Sequence, residues 1–158
     1  MQEFNRSIFN AIEFCLSTSK ECSSFEDIVT CLRSQNTLIH SKFRYALAKD
    51  IARFFSVHFG DCVKGMNLYG STLEYTAGMY SDIDLILHVS FLDAEILRTI
   101  KELNRFLTDS YYRLLGQISD ELSYFIDVHI INDDPSEQIP PSKSYLQYIL
   151  QNDSVALC

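Results

Sequence analysis

The sequence predicts an α/β (α+β) protein, with helices first and strands and helices interleaved afterwards. Three observations predict it. Apolar residues recur at helical spacing through the first sixty positions. After position 60, glycines punctuate apolar runs of strand length. One of these runs, "DIDLILHV", alternates residue by residue, which is the pattern of a half-buried strand.

Each element has its own signal. "EFNRSIFNAIEFCL" places Phe4, Ile8, Ile12 and Cys15 on one helical face. "SSFEDIVTCLR" opens on Ser23 with Glu26 three residues later, a capping-box signature. "NTLIHSKFRYALAKDIARFFSVHF" is a long helix with the stripe Phe43, Leu47, Ile51 and Phe54. "CVKGMNLYG" reads as a first strand ending at Gly70, and "DIDLILHV" as a second. "DAEILRTIKELNRFLTDSYYRLL" is a helix with Ile96, Ile100, Leu103 and Leu107 on one face. "LSYFIDVHII" is a third strand, "NDDPSEQIPPSK" a loop and "SYLQYIL" a short closing helix. Residues 1–40 read as an appended helical element, because no linker composition separates them from residues 41–158.

The length of 158 residues suits one domain with its own hydrophobic core. No apolar run has the ~18 residues that a membrane span needs. "MQEFNRSIFN" lacks the order of a signal peptide, so the expected location is the cytoplasm and no membrane partner is expected. Five cysteines without CxxC spacing read as reduced thiols partly filling the core. The net charge is −8, and it is uneven: residues 1–60 carry +1 and residues 61–158 carry −9. Such a chain repels a phosphate backbone, which makes a long nucleic acid a poor substrate. The one basic run, "SKFRYALAKDIAR", reads as a solvated helix face.

Aspartate is depleted in strands, yet three occur in these. Period-two alternation puts Asp82, Asp84, Ile86 and His88 on one face of the second strand, with Ile83, Leu85, Leu87 and Val89 facing the core. In the third strand, Phe125 and Asp127 point one way and Ile126, Val128 and Ile130 the other. If the strands pair with these faces in common, three carboxylates converge. Each then drives its neighbours toward the neutral form, a conflict that a divalent cation removes. Oxygen-only ligands suit Mg²⁺. Two such ions, ~3.5–4 Å apart, can clamp the attacking and leaving oxygens of a phosphoryl transfer. Gly70 at a strand end lets backbone approach a phosphate closely, and a helix starting at Ser71 would aim N–H groups and a hydroxyl at an anion. "TLEYTAG" can supply that short helix. His88 and His129 fall on the same faces as the aspartates. The ordinary reading of each is a polar residue under a flanking loop, and the sharper one is a base or an acceptor contact for His129.

The combination Gly70-Ser71, ten residues, Asp82-x-Asp84 and a later strand carboxylate, Asp127, resembles the DNA polymerase beta-type nucleotidyltransferase superfamily. Within it the chain is most similar to the minimal nucleotidyltransferases, from about Lys42 to the C-terminus. The end, "IPPSKSYLQYILQNDSVALC", also looks like the final helix and short strand of such domains. The resemblance implies a mixed β-sheet flanked by helices. It also implies transfer of a nucleoside monophosphate from a nucleoside triphosphate to a hydroxyl of a small molecule or protein, with release of pyrophosphate. Asp82 and Asp84 would bind the metals, Mg²⁺ or Mn²⁺. Asp127 would bind one and orient or deprotonate the acceptor. Gly70 and Ser71 would hold the terminal phosphates.

Many minimal members place a basic residue soon after the serine and a glycine four residues after it. Here Thr72, Glu74 and Tyr75 occupy that stretch, and Lys64 or the helix carrying Lys42, Arg44, Lys49 and Arg53 is left to supply positive charge. Because the chain ends soon after the catalytic pattern, acceptor choice is expected from residues 1–40, a second copy in a homodimer, or another protein. Three functions compete: a small-molecule nucleotidyltransferase with a cationic acceptor, an antitoxin-like enzyme that binds and modifies a helical partner, and a nucleotide-binding module without activity.

Overall fold

The computed structural model of the chain describes residues 2–116, 124–133 and 141–158. Three helices, α1 (Gln2–Thr18), α2 (Phe25–Leu32) and α3 (Thr37–His58), lead into strand β1 (Val63–Tyr69). There follow β2 (Ile83–Val89), α4 (Ala94–Leu115), β3 (Ile126–Asn132), α5 (Pro141–Asn152) and the short β4 (Val155–Ala156). Leu122, Ser123 and residues 134–140 of the expected loop lie outside the described residues. No helix among the described residues is long and apolar enough to cross a membrane.

Helix starts follow local side-chain chemistry. Asn36 accepts from the Ile39 N–H at 3.1 Å at the head of α3, and Asp93 accepts from the Glu95 N–H at 2.8 Å at the head of α4. The capping box of α2 sits one residue later than Ser23 and Glu26. Ser24 accepts from the Asp27 N–H at 3.1 Å, and the Ser24 N–H donates to the Asp27 carboxylate at 2.9 Å. Ser23 donates its N–H and hydroxyl to that same carboxylate. One short acid thus collects donors from both serines, which a glutamate one position earlier does not.

The four strands form a mixed sheet in the order β3-β2-β1-β4. β1 is antiparallel to both β2 and β4, while β2 and β3 run parallel. A parallel pair needs a crossover, and α4 supplies it. The register sets Asp84 opposite Asp127 on one side and Tyr69 on the other. That register is what brings the acidic residues of different strands together.

One side of the sheet packs on the main core. Met66, Leu68, Leu85 and Leu87 meet Phe43, Leu47 and Ile51 of α3 and Leu103 and Leu107 of α4. Phe4, Ile12, Ile28 and Leu32 belong to the same core. The expected boundary after residue 40 falls inside α3, between buried Ile39 and Phe43. The other side of the sheet is partly covered as well: Ile86 and Ile131 pack under Leu146 and Ile149 of α5. This explains why Ile86, on the aspartate face, is apolar.

Two expectations fail in detail. Phe125 does not share a face with Asp127. It lies in a bend before β3, where the Phe125 and Ile126 N–H groups both donate to Asn104 Oδ1, at 2.8 and 3.0 Å, and its ring turns into the main core. The basic run is not wholly a solvated face either, because Arg44 within it is fully buried.

Candidate metal centre

β1 delivers the chain to Gly70, whose φ of +72° lies in the left-handed region. A side chain there would also strike Asp84, since a Cβ would stand 3.0 Å from its Cγ and nearer still to an oxygen. Glycine is therefore favoured twice, by the left-handed backbone and by the Asp84 carboxylate, which lies where a side chain would stand. Residues Gly70–Thr72 make a single 3-10 turn instead of the expected helix. The chain folds back at once: Leu73 and Glu74 N–H groups donate to the Gly70 carbonyl at 3.0 and 3.2 Å, and Thr76 and Ala77 to that of Ser71 at 3.0 and 3.1 Å.

Tyr75 closes this reversal with φ +58°, the one non-glycine with positive φ among the described residues. A left-handed tyrosine costs about 1–2 kcal/mol. The residue is 60% exposed, so little burial repays it. Tyr75→Gly is therefore expected to raise stability by about 0.5–1 kcal/mol, the relief being partly offset by the entropy of an added glycine. The urea midpoint measures this, and a fall in midpoint would show that the ring holds the loop.

Asp82 precedes β2 by one residue, Asp84 lies within it, and Asp127 stands opposite on β3. One carboxylate oxygen from each lies within 4.8 Å of the others, and all three residues are half-buried. They could hold a metal ion. The Asp84 carboxyl is pushed up to about 6, by burial first and then by the charges of Asp82 and Asp127, with His129 opposing. The Tyr69 hydroxyl is likewise raised, by burial and then by Asp84 and Asp127. Both shifts have the sign expected for a pocket of concentrated negative charge.

The two histidines separate. His129 Nε2 lies 3.2 Å from Asp127 Oδ2, with the Tyr69 ring 6.3 Å from its own. His88 instead pairs with Asp133 Oδ1 at 2.7 Å, and Lys64 binds the other oxygen of the same carboxylate. These partners hold the Asp133 carboxyl down to about 2, His88 first and then Lys64. Lys64 and His88 thus belong to the opposite end of the sheet from Gly70. Lys42 is turned to the Thr18 carbonyl at 2.6 Å and the Ser19 hydroxyl at 3.1 Å. Neither lysine supplies charge to the carboxylates.

Beside Gly70 a cleft of about 500 Å³ opens, lined by Tyr69, Gly70, Leu73, Glu74, Tyr145 and Asp153, among others. α5 forms one wall of it. Comparisons with models of known protein families, with curated proteins and with solved structures find no match.

Proposed function

We propose that the chain is a metal-dependent nucleotidyltransferase that moves a nucleoside monophosphate from a nucleoside triphosphate to an acceptor hydroxyl, releasing pyrophosphate. The observation that carries the reading is the convergence of Asp82, Asp84 and Asp127 within 4.8 Å, beside a left-handed glycine turn against which the Asp84 carboxylate lies. Three oxygen donors of like charge suit hard divalent cations, Mg²⁺ with Mn²⁺ as a substitute, and a second ion can share the set. The raised Asp84 carboxyl supports this fit, since burial and the neighbouring charges that disfavour its ionised form are what a bound cation would relieve.

Bound Mg²⁺ would neutralise the triphosphate and lower the pKa of the acceptor hydroxyl. Asp82 and Asp84 would hold the cation from β2 and its approach. Asp127 orients the acceptor hydroxyl and takes its proton as the oxygen attacks the α-phosphorus. The bond from that phosphorus to the bridging oxygen breaks, and pyrophosphate leaves with the electron pair. His129, in contact with Asp127, keeps that carboxylate oriented. The Gly70-Ser71 backbone offers close approach to the terminal phosphates. The resemblance places a glycine at Tyr75, and the left-handed backbone there is the conformation a glycine favours. Glu74 and Asp153 on the cleft wall favour a cationic small-molecule acceptor.

The test is incubation of the protein with Mg²⁺ or Mn²⁺, each labelled nucleoside triphosphate and a panel of hydroxyl acceptors, amino sugars included. Labelled acceptor and pyrophosphate should form in equal amounts, and Asp82→Ala should form neither. Equal labelling by Asp82→Ala would remove the metal assignment.

A further inference from the structure

α3 buries a guanidinium that makes no direct ion pair among the described residues, although the charge of Asp82 acts on it. Arg44 is 0% exposed, and no carboxylate among the described residues forms an ion pair with it. A buried charge is tolerated only where other groups compensate its lost hydration. Here the compensation is specific. Arg44 Nε donates to the Ser81 carbonyl at 2.9 Å and Nη2 to that of Met79 at 3.1 Å. Nη1 donates to the His40 carbonyl at 3.4 Å and faces His40 Nδ1 at 3.2 Å. His40 Nε2 donates to the Ser34 carbonyl at 2.9 Å, which leaves Nδ1 as an acceptor. The guanidinium lies over the rings of Tyr111 and Phe125, at 5.3 and 5.2 Å.

Two of these contacts fall on the approach to the carboxylates. The Ser81 carbonyl and the Asp82 N–H belong to one peptide plane, so a donor fixed on that oxygen fixes the plane from which Asp82 departs. From the far side, the Gly78 N–H donates to the Ser81 hydroxyl at 2.9 Å. One residue on, the Ile83 N–H donates to the carbonyl of Phe125, the ring beneath Arg44. A single guanidinium therefore touches both the segment that delivers Asp82 and the bend that starts the strand of Asp127.

We propose that Arg44 is the positioning residue of the triad, setting its affinity for divalent cations by fixing the segment from Met79 to Asp82. This rests on the reading of the three aspartates as a metal site. A lysine keeps the charge but lacks the planar fork that reaches two carbonyls at once.

The test titrates Mn²⁺ into the full chain and counts free ion by electron paramagnetic resonance. Circular dichroism gives the folded fraction of wild type, Arg44→Lys, Arg44→Gln, Ser81→Ala and Asp82→Asn. Per folded molecule, Arg44→Lys should bind about 10- to 100-fold more weakly, the range for residues that orient metal ligands. Ser81→Ala, which keeps the buried guanidinium and frees only the outer tie, should bind more weakly in the same direction. Wild-type affinity in folded Arg44→Lys overturns the proposal. If Arg44→Lys does not fold, Arg44→Gln, which can reach only one of the two carbonyls, decides it per folded molecule, weakened binding supporting the clamp and wild-type binding overturning it. Wild-type binding that Asp82→Asn leaves untouched would sink the metal reading, and this inference with it.

Discussion

Asp84→Asn is expected to reduce transfer by about 10³-fold or more while making the metal-free protein more stable at pH 8. On the proposed reading, the loss follows from removing a ligand of a cation that would contribute several kcal/mol to the transition state. The gain follows from the ionisation of Asp84. Unfolded, an aspartate titrates near 3.9. Folded, this one is pushed up to about 6 by burial and by its acidic neighbours. Below about pH 4 both states are protonated and the group costs nothing. From about pH 4 to 6 the folded chain keeps a proton that the unfolded chain has released, so stability falls as pH rises. Above pH 6 the full cost is present. The residue is only half-buried, and screening reduces that cost to roughly 1–2 kcal/mol. Asparagine is neutral and nearly isosteric, so Asp84→Asn should gain that amount at pH 8 and nothing at pH 4. Urea midpoints at the two pH values measure it. Mg²⁺ should raise the wild-type midpoint and leave that of Asp84→Asn unmoved. A structural carboxylate would behave oppositely, losing stability on substitution at every pH.

The opposed signs matter because the same residue is also part of the strand that builds the fold. Leu85, Leu87 and Val89 put β2 into the core, and the alternation that shows this also shows where Asp84 must point. Two of the three carboxylates were legible in that way, on one short run. The third depends on pairing. Alternation places Asp127 on a face of β3, but only the parallel register puts it opposite Asp84, and register is a property of two strands and their crossover. The histidines show the same limit. His88 and His129 look alike by spacing, yet one reaches Asp127 and the other Asp133. Distance along the strand separates them, because His88 stands four residues beyond Asp84 and His129 only two beyond Asp127.

Arg44 was hidden for a different reason. Read as a charge in a basic run, it belongs to solvent. Read by position, it precedes Leu47, Ala48 and Ile51 at helical spacing, and all three are buried. The face was legible, but the charge pointed the other way. Phe125 misled because strand periodicity was carried past the start of β3, into a bend held by Asn104. The covering of Ile86 by α5 is tertiary, and nothing local to β2 signals it.

Gly70→Ala is expected to separate site from fold. The left-handed backbone at Gly70 costs an alanine about 1–2 kcal/mol, and stability should fall by that much. The collision of the new Cβ is with the end of the Asp84 side chain, which can rotate to another rotamer, so the clash adds little to the loss. What rotates is the carboxylate proposed as a metal ligand. Affinity for Mn²⁺ should therefore fall about tenfold or more, although the substituted residue offers no ligand itself. The decisive comparison is with Asp84→Asn. If Gly70→Ala acts by moving Asp84, it has nothing left to move once that carboxylate is gone. Gly70→Ala/Asp84→Asn should then bind no more weakly than Asp84→Asn alone, while the stability cost of the alanine persists in both backgrounds. Two losses of affinity that add in full would mean that the turn and the carboxylate act independently. Gly70 would then be a turn residue only, and the contact with Asp84 incidental.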